Sequence, residues 1–124
     1  MDTIPKYWIK FLDSHKLRGI EIEIDEEQDL SEFGVSLKIF IEQEIIEEMN
    51  NYYPGMVVKN DNYIPIASCS YGSGDPYFIN SNDGQNGKLY RIYHDEFSDD
   101  EYDKDSAIDV VLENYELLLN FKHE

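Results

Sequence analysis

The chain has 124 residues, 41% hydrophobic and 14% aromatic with ten tyrosines, enough to bury one packed domain and to exclude a disordered chain. Its formal net charge is −17, from 27 acidic against 10 basic residues, which excludes nucleic acid and anionic membrane as partners and favours a basic protein. The single cysteine, Cys69, forms no internal bridge, no run approaches the roughly 18 apolar residues of a membrane span, and the start MDTIPKYWIK has no apolar signal core, so a soluble, cytoplasmic protein is expected.

Along the chain, Ile4, Trp8, Phe11, Leu12 and His15 recur at three- and four-residue spacings and predict a helix over 4–17, with Pro5 in its first turn and Trp8 as a core anchor. Ile20, Ile22 and Ile24 then alternate with Glu21, Glu23 and Asp25, a strand with one apolar and one acidic face. Residues 26–34 read as a polar loop. Val35, Leu37, Ile39 and Ile41 alternate again and predict a second strand, hairpinned to the first. From Ile41 the period becomes helical through Ile45, Met49 and Tyr52, until Pro54 and Gly55 stop the run; Met56 to Asn62 reads as a loop.

The stretch YIPIASCSYGSGDPYFINSNDGQNGKLYRIYH, residues 63–94, contains three short apolar runs separated by glycine-bearing turns, the pattern of an antiparallel meander. Gly72, Gly74, Gly84 and Gly87 fall at its turns. Beyond an acidic segment, Ser106 followed by Asp109 resembles a capping box, and Ile108, Val111, Leu112, Tyr115, Leu118 and Leu119 predict a C-terminal helix. The fold class expected is α+β, a single domain over residues 1–124, with a central antiparallel sheet of about five strands and flanking N-terminal, middle and C-terminal helices.

No catalytic set emerges, and the chain is not expected to be an enzyme. In YGSGD the last glycine, Gly74, is followed by Asp75 and Pro76, where a phosphate loop needs Lys and a hydroxyl residue. A dinucleotide fingerprint lacks its third glycine there. The acids around Asp95 do not fall in an EF-hand register, and His15, His94 and His123 are scattered, so neither cofactor nor metal is expected. The thiol and hydroxyls of Ser68, Cys69 and Ser70 sit without a nucleophile elbow or a defined base.

What remains is charge. Glu21 to Glu32 holds seven acids in twelve residues and Asp95 to Asp105 seven in eleven; each run is either a solvated loop or a docking surface. As a docking surface it would comprise Glu21, Glu23 and Asp25, then His94, Asp95, Glu96, Asp99, Asp100, Glu101 and Asp103, with Asp75 in the meander turn and Tyr71, Tyr77 or Tyr93 as exposed aromatic anchors. His94, beside Asp95 and Glu96, is placed for its charged form.

The order of IPKYWIKFL, LKIFIEQEIIEEMN, IPIASCSYGSGDPYFIN, GKLYRIYHDE and NYELLL resembles the SUKH superfamily, which includes the Smi/Knr-type domain of a fungal cell-wall assembly regulator and many bacterial proteins. The resemblance rests on Ile64, Ile66, Gly72, Gly74, Asp75, Tyr77, Ile79, Gly87, Leu89, Tyr90, His94 and Asp95. It implies an α+β binding module without an active site and, for bacterial members, an immunity protein that neutralises a toxin, often a nuclease. The second reading is a regulatory or scaffold domain that binds a cellular protein or a small ligand in a cleft over the sheet.

Overall fold

The structure is a computed structural model that describes residues 4–31, 34–52, 54–69, 76–93, 97–98 and 101–121. Helix α1 runs Lys6–His15, with Pro5 at the N-cap, where a missing N–H leaves nothing unsatisfied. It ends because Lys16 turns into the left-handed region and donates its N–H to the Leu12 carbonyl. The apolar stripe read from the sequence is the one it buries, with Trp8 and Leu12 fully enclosed.

The chain then builds a six-stranded sheet in the order β1 (Glu21–Ile24), β2 (Val35–Ile39), β3 (Tyr63–Cys69), β4 (Tyr77–Asn80), β5 (Leu89–Ile92) and β8 (Ile108–Leu112), every pair antiparallel. Helix α2 (Glu42–Asn51) and a short helix α3 (Gly55–Val58) connect β2 to β3. A small hairpin of β6 (Phe97–Ser98) and β7 (Glu101–Tyr102) and a single turn of helix α4 (Lys104–Ala107) connect β5 to β8. The Glu44 carboxylate accepts the Ile41 N–H at 3.0 Å and so caps α2. Arg18 reaches the Glu42 carboxylate through two nitrogens at 2.7 and 2.8 Å, tying the end of α1 to the start of α2.

Strand parity sorts the side chains onto two faces. The main core takes Ile22, Ile24, Leu37, Ile39, Ala67, Tyr77, Ile79 and Leu89 from the strands and Trp8, Leu12, Ile45 and Tyr115 from the elements packed on them. The other face carries a smaller cluster of Val58, Phe78 and Ile92, flanked by Tyr63, Tyr90, Tyr102 and Ile108.

The expected α+β arrangement around a central antiparallel sheet holds, with six strands in that sheet in place of about five. The C-terminal helix is a correction. Residues Ile108–Leu112 form strand β8, and only Tyr115–Asn120 are helical, as a 3-10 segment. The reason is a bulge: Leu89 pairs with Leu112 and Tyr90 with Val110, leaving Val111 as the extra residue. Val111 and Leu112 therefore both enter the core, and the broken alternation imitates helical spacing. The β-branched residues Ile108, Val110 and Val111 suit a strand, and β5 needs a hydrogen-bonding neighbour. Asp109 accordingly lies in the strand and caps nothing, and Met56 to Asn62, read as a loop, is largely α3 and a 3-10 turn.

Gly55 marks a close approach: a Cβ placed there would overlap the Glu48 carbonyl oxygen of the preceding helix. Gly55→Ala should therefore cost about 2 kcal/mol in denaturant unfolding. Gly19→Ala, at φ 75° but facing open space, should cost only about 1 kcal/mol.

Candidate functional site

The first hairpin carries the ordered acidic surface. Its alternation leaves Glu21 and Glu23 exposed while Ile22 and Ile24 enter the core, and Asp25, Glu26 and Glu27 continue the exposed run into the turn. The turn itself is closed by the Asp25 carbonyl, which accepts the N–H groups of Gln28 and Asp29, both at 2.9 Å. Asp29 is only 2% exposed, and its Oδ1 accepts the Ser31 N–H at 2.7 Å and the Ser31 hydroxyl at 2.6 Å.

Two long-range contacts fasten this turn to the far end of the sheet. The bulge at Val111 frees a carbonyl that accepts the Leu30 N–H at 2.9 Å. Arg91, on the core-facing side of β5 and 8% exposed, donates to the Gly34 carbonyl and to the Tyr77 hydroxyl, both at 3.0 Å, and lies 3.5 Å from the Ser31 hydroxyl. Its guanidinium also sits 5.4 Å from the Tyr77 ring centre and 6.0 Å from that of Tyr93. The negative charge of Asp29 acts on it as well. The turn that follows β1 is thus anchored to β5 and β8, with Glu21, Glu23, Asp25, Glu26 and Glu27 exposed on the strand and turn.

Elsewhere the acids are met by phenols. Tyr90 donates to Asp83 at 2.7 Å, Tyr93 to Asp109 at 2.8 Å, and Tyr102 to Asp61. Burial first, and in Tyr93 the Asp109 bond second, pushes the Tyr77 and Tyr93 hydroxyls up to about 12, although Arg91 pulls both the other way.

Of the residues expected to meet a partner, Glu21, Glu23 and Asp25 are brought together on one exposed edge strand and its turn. Asp103 is exposed beside α4, and Glu101 lies in β7. Tyr71, Asp75, His94, Asp95, Glu96, Asp99 and Asp100 lie outside the described residues, as do Gly72 and Gly74. Tyr77 is a correction: it is fully buried, because its parity in β4 matches Ile79, and it serves as a hydrogen-bond acceptor for Arg91 instead of an exposed anchor. Tyr93 is half-buried.

Asp29 and Arg91 escaped the sequence reading, yet both left a trace. Asp29-Leu30-Ser31 is the spacing of an Asx turn, and Arg91 shares the parity of Leu89, an inward position for a charge. Among the described residues no group of three or more His, Cys, Asp or Glu side chains converges as metal ligands, and no helix is long and apolar enough to cross a membrane.

No protein-family model, no curated protein and no solved structure matches the chain.

Arg91→Met removes the donors to Gly34 and Tyr77 and leaves these buried oxygens short of a partner, so unfolding free energy should fall by about 3 kcal/mol. Hydrogen exchange should rise at the Asp29 and Leu30 amides while α1 stays protected. Because Tyr77 and Tyr93 are raised above the usual value of 10.0 in the fold, their contribution is complete below about pH 10 and is lost as pH rises towards about 12. Thermal midpoints should decline across that window, with phenolate absorbance of these residues in the folded protein rising only towards its upper end.

Proposed function

We propose that this chain is a non-catalytic binding module whose acidic first hairpin docks a basic protein. With the SUKH resemblance, the specific reading is a cytoplasmic immunity protein that neutralises a basic, nuclease-type toxin of a contact-dependent or polymorphic toxin system. The observation that carries it is the fastening of the turn at Asp29 to Ser31 and at Gly34 by Arg91, Asp29 and the Val111 carbonyl, which anchors the backbone beside the exposed Glu21, Glu23, Asp25, Glu26 and Glu27. A pre-ordered charged surface loses less conformational entropy on binding than a solvated loop does. Leu30, 53% exposed in the same turn, adds an apolar contact.

Electrostatic docking of this kind acts mainly on association rate and is screened by salt, with a Debye length of about 10 Å at 0.1 M. A basic nuclease domain encoded beside the gene should be retained by the pure protein at low salt. Replacing Glu21, Glu23, Asp25, Glu26 and Glu27 by Lys should slow its association at least about tenfold and abolish protection from the toxin. Glu47→Lys on exposed α2 should leave both nearly unchanged. Binding and protection that survive reversal of the hairpin acids would remove this reading.

A further inference from the structure

The two edges of the main sheet differ in what meets them. At the β8 edge the Val111 carbonyl is taken by the Leu30 N–H at 2.9 Å. At the other edge β1 pairs with β2 alone, and among the described residues no strand lies on its far side. The edge without a neighbour is also the acidic one.

The phase of the hydrogen-bond ladder decides what that edge presents. The Ile39 N–H donates to the Ile20 carbonyl at 2.9 Å, and in an antiparallel ladder the bonded pairs recur at every second residue. Ile22 with Leu37 and Ile24 with Val35 are therefore the pairs that bond β1 to β2. Glu21 and Glu23, opposite Lys38 and Ser36, turn their N–H and C=O groups away from β2. Their side chains are exposed, whereas those of Ile22 and Ile24 are buried. The same two residues thus direct a backbone donor, a backbone acceptor and a carboxylate away from the core.

We propose that β1 takes up an extended basic segment of the partner as an added antiparallel strand. Strand addition rests on the docking reading above and specifies how the partner meets the hairpin. In this register two basic residues stand directly opposite Glu21 and Glu23, exchange backbone hydrogen bonds with them and place their charges on the same face. The residue between them lies on the Ile22 side of the sheet, so the segment that fits alternates basic and apolar residues. A second copy of β1 in that place would set carboxylate against carboxylate, which like-charge repulsion disfavours. A basic helix would meet the carboxylates but leave the edge N–H and C=O groups without strand partners.

The test is amide hydrogen exchange of the full chain at low salt, with and without the acetylated, amidated peptide Lys-Val-Lys-Val-Lys. In the free protein the Ile22 and Ile24 amides should exchange slowly and those of Glu21 and Glu23 fast; the peptide should slow the latter two at least about tenfold. The same peptide methylated at its lysine backbone nitrogens keeps every charge and loses the donors to β1, so it should bind at least about tenfold more weakly. Glu23→Pro and Glu23→Gln lose the same charge, but only proline also removes the outward N–H, which the β2 ladder does not use. Proline should abolish the protection of Glu21, and glutamine should weaken peptide binding only about threefold. If proline disturbs the hairpin, the methylated peptide carries the test on the wild-type chain. Strand addition is overturned if the Glu21 and Glu23 amides are already slow in the free protein, if the peptide leaves them fast, or if the methylated peptide binds as tightly. Equal binding of both peptides would leave charge docking standing without an added strand, whereas toxin binding that survives reversal of the hairpin acids removes the docking reading itself.

Discussion

A single buried guanidinium organises this molecule. Because all six strands pair with their sequence neighbours, connectivity alone gives an open meander whose first hairpin has no reason to meet its last strands. Arg91 supplies that reason by binding the Gly34 carbonyl 57 residues earlier in the chain. The Val111 bulge adds a second fastening through Leu30, so the sheet curls until the β1–β2 turn lies against β5 and β8. Burying the charge is tolerable because backbone, phenol and a nearby carboxylate surround it. The arrangement is not free of cost, since Asp29 Oδ2 and the Trp8 indole nitrogen are buried without partners.

A second constraint is scarcity of cations. With 27 acids and 10 bases, most carboxylates have no lysine or arginine to meet, and the fold handles them in two ways. Those on the first hairpin stay in water, where repulsion is screened. Asp61 and Asp83, in 3-10 turns, and Asp109, in β8, accept from tyrosine hydroxyls, which give a strong bond without adding charge. The abundance of tyrosine and the acidity of the chain are therefore two sides of one solution.

That solution separates two surfaces of different chemistry. The first hairpin presents fixed negative charge on an edge strand, where it also discourages pairing with a second copy. A cleft beside α1, of about 140 Å³, is lined by Tyr7, Lys10, Ser14, Gln85, Asn86 and Glu116 among others and carries charges of both signs.

Local periodicity by itself determined α1, the β1–β2 hairpin, α2 and the meander strands, because each buries one face against a single layer and so repeats its own spacing. It also determined that Glu21 and Glu23 face outward, since they alternate with isoleucines. Only the tertiary structure decided that Ile108 to Leu112 is a strand, because a one-residue bulge erased its alternation and the requirement of β5 for a partner is not local. Only it turned Tyr77 inward to meet Arg91, and only it anchored the turn after β1 to β5 and β8. Those outcomes depend on contacts between residues far apart in the chain, such as Arg91 with Gly34, whose geometry no local pattern encodes.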